Sequence, residues 1–120
     1  MSERRAAERR GRSAEFLCAW ALRCKGYRVL DRRAHGPLGE IDIVARCRAV
    51  LAIVQVKARR EASAALEATT ARQRGRIALA AELYLARHPA LVALPVRFDL
   101  MVVIPWRLPI HIRGAWRPPV

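Results

Sequence analysis

Two short stretches of this chain carry residue types that could do chemistry together. "GEID" sets Glu40 and Asp42 two positions apart, and "VQVKAR" sets Gln55 and Lys57 two positions apart. Both stretches lie in runs that are otherwise almost wholly apolar. Side chains along a strand alternate between its faces, so each polar pair shares one face and leaves apolar residues on the other. A hairpin joining the two runs sets the pairs side by side. An isolated buried carboxylate or ammonium is costly unless it is paired or holds a metal. Clustering Asp42 with Lys57 relieves that cost and leaves room for a divalent ion. The chemistry this suits is phosphodiester hydrolysis. Mg²⁺ takes oxygen ligands and keeps several waters, and it polarises a phosphate while lowering the pKa of a bound water. A lysine ammonium can orient that water or offset charge developing on the phosphate.

The choice of lysine at position 57 is itself informative. The chain has 23 Lys and Arg residues, and only Lys25 and Lys57 are lysine. A compact ammonium on a flexible stem is not replaceable by a guanidinium fork. The net charge is +13, with a pI near 11.5, which attracts polyanions and above all nucleic acid. A chain rich in Ala and Arg owes part of its arginine to composition, but that does not explain so few acids. Arg12, Arg33, Arg59, Arg60, Arg72 and Arg76 are the expected contacts to a nucleic-acid backbone.

The elements that must position these residues follow from the pattern. Ser13 can cap a helix whose apolar face is Phe16, Leu17, Trp20, Ala21 and Cys24, with Glu15 in its first turn. Gly26 ends it, and residues 27–30 read as a strand. Residues 31–39 form a polar turn. Residues 40–46 and 49–59 are two strands of a hairpin. Residues 63–88 are helical, with Gly75 a point where the helix could bend or split and Pro89 beyond its end. Residues 96–104 are a further strand. The order α-β-β-β-α-β predicts an α/β fold: a single mixed β-sheet flanked by helices. A basic N-terminal arm (residues 1–12) and a Pro/Arg/Trp-rich tail (residues 105–120) bracket a domain over residues 13–104. The tail is expected to be irregular, with at most a short edge strand at 108–112.

Other chemistries find little support. Cys18, Cys24 and Cys47 are odd in number and show no CxxC spacing, which argues against a disulfide framework and against zinc. His35, His88 and His111 are scattered. No apolar run approaches the ~20 residues of a membrane helix, so no membrane is expected as partner. The charged N-terminus lacks the apolar stretch of a secretory signal, which favours the cytoplasm over a weak match to a transit peptide.

With "GEIDIVA…IVQVKAR" go "AEFLCAWALRCKGYRVLDRR" before it and "RQRGRIALAAELYL…VRFDLMVVI" after it. In this combination, over residues 11–104, the chain resembles the YraN-like family of small bacterial proteins. That family is similar to the restriction-endonuclease-like nucleases and, in outline, to archaeal Holliday-junction resolvases. The resemblance implies a restriction-endonuclease-like core, a Mg²⁺ or Mn²⁺ site without zinc or a nucleotide cofactor, and endonuclease activity on DNA. It makes Asp42 a metal-binding aspartate, Lys57 the catalytic lysine, Glu15 a helix glutamate that can complete the site, and Glu40 the acid of GEID. Gln55 departs from the family pattern, which usually has Glu there. An amide offers an oxygen but no charge.

Three functions are compatible with these residues. The first is a divalent-metal-dependent endonuclease on DNA, branched or otherwise structured DNA included. The second is a nucleic-acid-binding protein of the same fold without catalysis. The third is a basic module that docks on an acidic partner. A homodimer suits the first, since cutting two strands symmetrically needs two sites.

Overall fold

The structure, a computed structural model, describes residues 3–36 and 39–118. Helix α1 (Glu3–Cys24) opens the chain and three strands follow: β1 (Arg28–Gly36), β2 (Gly39–Cys47) and β3 (Val50–Ala58). Two helices, α2 (Ala62–Glu67) and α3 (Ala71–Ala86), lead to β4 (Val96–Val103) and β5 (Ile110–Trp116). The sheet runs β1-β2-β3-β4-β5. Neighbours are antiparallel except β3 and β4, which are parallel and are bridged by the two helices. The expected α/β class and single mixed sheet flanked by helices are what the chain adopts, in a form compatible with a restriction-endonuclease-like core.

α1 differs from its expected form at both its start and its buried face. It begins at Glu3, so the expected arm is helical from that residue and Ser13 lies inside the helix instead of capping it. Gly11 costs about 1 kcal/mol there but sits among strong helix formers, Ala, Arg and Glu, which carry the helix through. The buried face is Ala14, Glu15, Cys18, Ala19 and Leu22, whereas Phe16 and Trp20 are 54% and 60% exposed. Both spacings are helical. The small set wins because it lets the helix axis approach the sheet, where Tyr27, Ile43, Val54 and Met101 supply the bulk. The helix ends where Gly26 takes φ +91°, with Gly26 N–H donating to Arg23 O and Tyr27 N–H donating to Leu22 O. That is the paired bond pattern of a glycine C-terminal cap.

The stretch read as a polar turn mostly continues β1, paired with β2 as far as Gly36↔Gly39. The β2–β3 turn is tight, with Cys47 opposite Val50 and Arg48 in a left-handed conformation at φ 54°. The expected single helix over residues 63–88 divides before Ala71, not at Gly75. Thr70 causes the break: its hydroxyl caps α3 by accepting from Gln73 N–H at 3.2 Å.

Alternation then builds two cores. Ala52 and Val54 of β3 face α1, while Leu51 and Ile53 pack with Ile77, Ala81 and Tyr84 of α3. α2 adds Ala65 over Leu100 and Val102 on the α3 side. The sheet extends beyond residue 104: β5 is a full strand, and Trp116 is buried against Phe98 with ring centroids 4.3 Å apart.

Candidate functional site

The site is built by a split in the sheet. β2 and β3 pair from Cys47↔Val50 to Ile43↔Val54 and no further, although β2 stays paired with β1 down to Gly39. Beyond Ile43 the β1–β2 hairpin therefore peels away from β3. The ladder's next β3 amide, that of Val56, would lose its partner. Asp42 fills the gap: its Oδ2 accepts the Val56 N–H at 2.8 Å. One carboxylate thus both ends the ladder and stands in the seam between two strands.

Gln55 and Lys57 follow on β3. Alternation puts both on the face of Leu51 and Ile53, so they share a face as expected. Gln55 is 8% exposed, and its Oε1 has no hydrogen-bond partner among the described residues. A buried amide oxygen left unpaired costs about 1–3 kcal/mol, so it marks a place where a donor or a cation is wanted. Lys57 is half-buried. Desolvation lowers its pKa, and the nearby Asp42 carboxylate opposes that shift. Asp42 is also felt from the α1 side: burial pushes the Cys18 thiol up to about 12, with Asp42 and then Glu15 adding to the shift.

Glu15 occupies the opposite layer from Gln55 and Lys57. It is buried under α1, and Arg33 Nε donates to its Oε2 at 2.5 Å. Glu15 therefore does not share the face of Gln55 and Lys57. Asp42 sits between Lys57 on one side and Glu15 with its arginine on the other. The side chain of Glu40 lies outside the described residues; its backbone pairs with His35. Among the described residues, no three His, Cys, Asp or Glu side chains come together as a metal-binding group. What fits a hard dication is sparser: the Asp42 carboxylate and the orphaned Gln55 oxygen, with water completing the shell.

The arginines divide. Arg59 and Arg60 are exposed just after β3, and Arg12 is exposed on α1. Arg72 and Arg76 lie exposed on α3, across the sheet from α1.

The family model of the uncharacterised protein family UPF0102 matches residues 14–103, three quarters of the chain, which takes in β1 to β4 and stops before β5. The chain belongs to the UPF0102 family. This is the family called YraN-like above. A UPF0102 protein of Parvibaculum lavamentivorans is 49% identical over 113 residues, covering 94% of this chain and 85% of its own length. One from Maricaulis maris is 49% identical over 115 residues, covering 96% and 91%. One from Nitrobacter winogradskyi is 50% identical over 111 residues, covering 92% and 94%.

This UPF0102 chain also holds a polar cluster that spacing could not show. Its centre is Asp99, in "VRFD" on β4. It is 0% exposed and takes two bonds from Arg97, from Nε and Nη2, each at 2.7 Å. Gly114 N–H donates to Asp99 Oδ1 at 3.0 Å, and His111 Nε2–H donates to Oδ2 at 2.7 Å. Because a carboxylate only accepts, the ring is fixed as the Nε2–H tautomer, and its Nδ1 accepts from Lys25 Nζ at 3.0 Å. Arg97 Nη2 also donates to Tyr27 OH at 2.6 Å. The cluster ties the end of α1 to β4 and β5. His111 carried no sequence signal, since it meets Asp99 only through β-strand pairing.

No helix among the described residues is long and apolar enough to cross a membrane.

Proposed function

We propose that this chain is a divalent-metal-dependent nuclease acting on DNA. The observation that carries the reading is the split between β2 and β3. It sets a carboxylate in the seam, a buried amide oxygen with no partner among the described residues, and a half-buried ammonium within two positions of it. Asp42 and Gln55 would hold Mg²⁺ or Mn²⁺, which when bound supplies a Lewis acid for the scissile phosphate and an acidified water. Asp42 is oriented for this by the Val56 amide. Lys57 holds its ammonium where charge would grow on the phosphate, and its partial burial strengthens that interaction. Arg59 and Arg60, next along the chain, hold the phosphodiester backbone. Glu15 is committed to Arg33 and contributes charge to the site from behind, not as a free ligand.

Gln55 favours a second reading, a nucleic-acid-binding protein in which this site no longer cuts. An amide brings one negative charge fewer than a glutamate would to a hard dication, and affinity falls accordingly. A basic docking module for an acidic partner protein is the third. Mn²⁺ titration by calorimetry separates the first reading from the others. Wild type is expected to bind, Gln55→Glu to bind tighter, and Asp42→Asn to lose binding. Binding that persists undiminished in Asp42→Asn would remove the metal from this seam.

A further inference from the structure

The exposed side of α1 has an unusual composition. Arg9, Ser13, Leu17 and Trp20 recur at spacings of four and three, so they form one stripe, and all four are exposed. The aromatic and leucine side chains expected to face the core face outward instead, leaving Leu17 47% exposed. The lower part of the stripe opens into a groove of about 720 Å³ between α1 and the ends of β3 and β4. Its floor is apolar, with Leu17, Val103 and Pro105, and its rim carries Arg9, Arg59 and Arg60. Trp106 follows Pro105 directly. It is fully exposed and holds a left-handed φ of 66°, an outlier for a bulky side chain. The groove lies on the α1 face of β3: Ala58 in its wall alternates with Lys57, which faces the other side of the strand, and Ala14 in its wall precedes the buried Glu15.

An apolar floor under a cationic rim matches a ligand with flat apolar faces and a string of negative charges. In duplex DNA the base faces are stacked away, leaving phosphates, sugars and base edges; in an unpaired strand the faces are available beside the phosphates. Aromatic platforms beside arginines are how such strands are held without sequence preference. The volume is also of the size that encloses a small-molecule-sized group rather than a double helix.

We infer that this groove, with Leu17 in its apolar floor, Arg9, Arg59 and Arg60 as phosphate contacts, and Trp20 (one turn beyond Leu17) and Trp106 (next to Pro105) flanking it as stacking surfaces, takes an unpaired nucleic-acid strand. The substrate class is then DNA with a single-stranded segment next to the cleavage point, such as a flap, a gap or an opened branch. This rests on the reading that the basic surface binds nucleic acid. It does not rest on catalysis.

The test is fluorescence anisotropy in EDTA, where no cutting can occur, with a labelled oligothymidylate and a labelled duplex of the same length. Wild type, Trp106→Ala, Trp106→Phe and Trp20→Ala are compared, and sedimentation velocity is run on each. The oligothymidylate is expected to bind more tightly than the duplex and to quench tryptophan emission. Trp106→Ala should weaken oligothymidylate binding by about tenfold, the loss of one stacked base, and change duplex binding less than twofold. Trp106→Phe, which keeps a ring, should restore most of the affinity. Equal affinity for the two probes, or no loss in either alanine variant, overturns the inference. So does a concentration-dependent dimer that Trp106→Ala dissolves without touching oligothymidylate binding, because a second copy of the chain then covers the stripe. The nuclease reading fails separately. A chain that prefers the unpaired strand but never cuts with Mg²⁺ or Mn²⁺ keeps this groove and loses the catalysis. A chain that cuts but shows no preference does the reverse.

Discussion

Lys57 and Asp42 are held by opposed costs. Burial lowers the Lys57 pKa, and the neighbouring Asp42 carboxylate opposes that shift without cancelling it. Neither is replaceable by charge alone. Lys57→Arg keeps the cation but brings a planar fork, and any cleavage should fall nearly as far as in Lys57→Ala. Asp99 answers to the same physics in a different place. Burial pushes its pKa up, but His111, Arg97 and the Gly114 amide push it down further, and the net shift is downward. A group whose folded pKa is depressed stabilises the fold fully above its unfolded value, about 3.9, and loses that contribution as pH falls through the folded value. Asp99→Asn leaves Arg97 without its anionic partner and should cost about 3–5 kcal/mol in urea melts near neutral pH. The two stability curves should converge below about pH 4 as the wild-type carboxyl protonates. A constant gap down to pH 2 would contradict that assignment. Cys18, fully buried with its thiol pushed up to about 12, should resist iodoacetamide at pH 8 while exposed Cys24 reacts; mass mapping of the alkylated peptides checks this.

At the scale of elements, helix α1 exposes what its hydrophobicity would bury. If small residues seat it on the sheet, enlarging one of them is worse than removing an aromatic ring. Ala19→Leu should destabilise by about 1–3 kcal/mol through overpacking, and Trp20→Ala should stay within about 0.5 kcal/mol. The opposite ranking in thermal melts would mean that the aromatic stripe is the packed face. This is also where the sequence is least transparent. The strands of "GEIDIVAR" and "LAIVQVK" are legible because alternation and β-branched content leave one assignment. α1 offers two apolar faces at helical spacing, and only the shape of the sheet beneath chooses between them. β1 was legible at its start and not in "DRRAHG", because its polar residues fit a turn as well as an edge strand. The pairing of Gln55 with Lys57 on one face could be read from spacing. The split that isolates Asp42 could not, since it depends on where a ladder stops, and neither could the return of β5 that brings His111 to Asp99.

For the whole molecule, charge and topology act together. One face carries α1, its groove and Arg59 and Arg60; the other carries α3 with Arg72 and Arg76; the split in the sheet lies between them. A net charge of +13 on a chain of this size should make nucleic-acid binding steeply salt-dependent. On duplex DNA, log affinity should fall linearly with log salt, by about 0.9 per phosphate contacted. A flat dependence would point to an acidic protein partner instead. The proposal that the seam between β2 and β3 cuts DNA is met most directly by a cleavage assay on purified protein. Labelled duplex, single-stranded, flap and four-way-junction DNA are incubated with Mg²⁺, Mn²⁺ or EDTA, with Lys57→Ala alongside. Metal-dependent cutting that disappears in Lys57→Ala, while DNA binding survives, is the expected result. Cutting that persists in Lys57→Ala, or no cutting of any substrate by wild type with either metal, would contradict it.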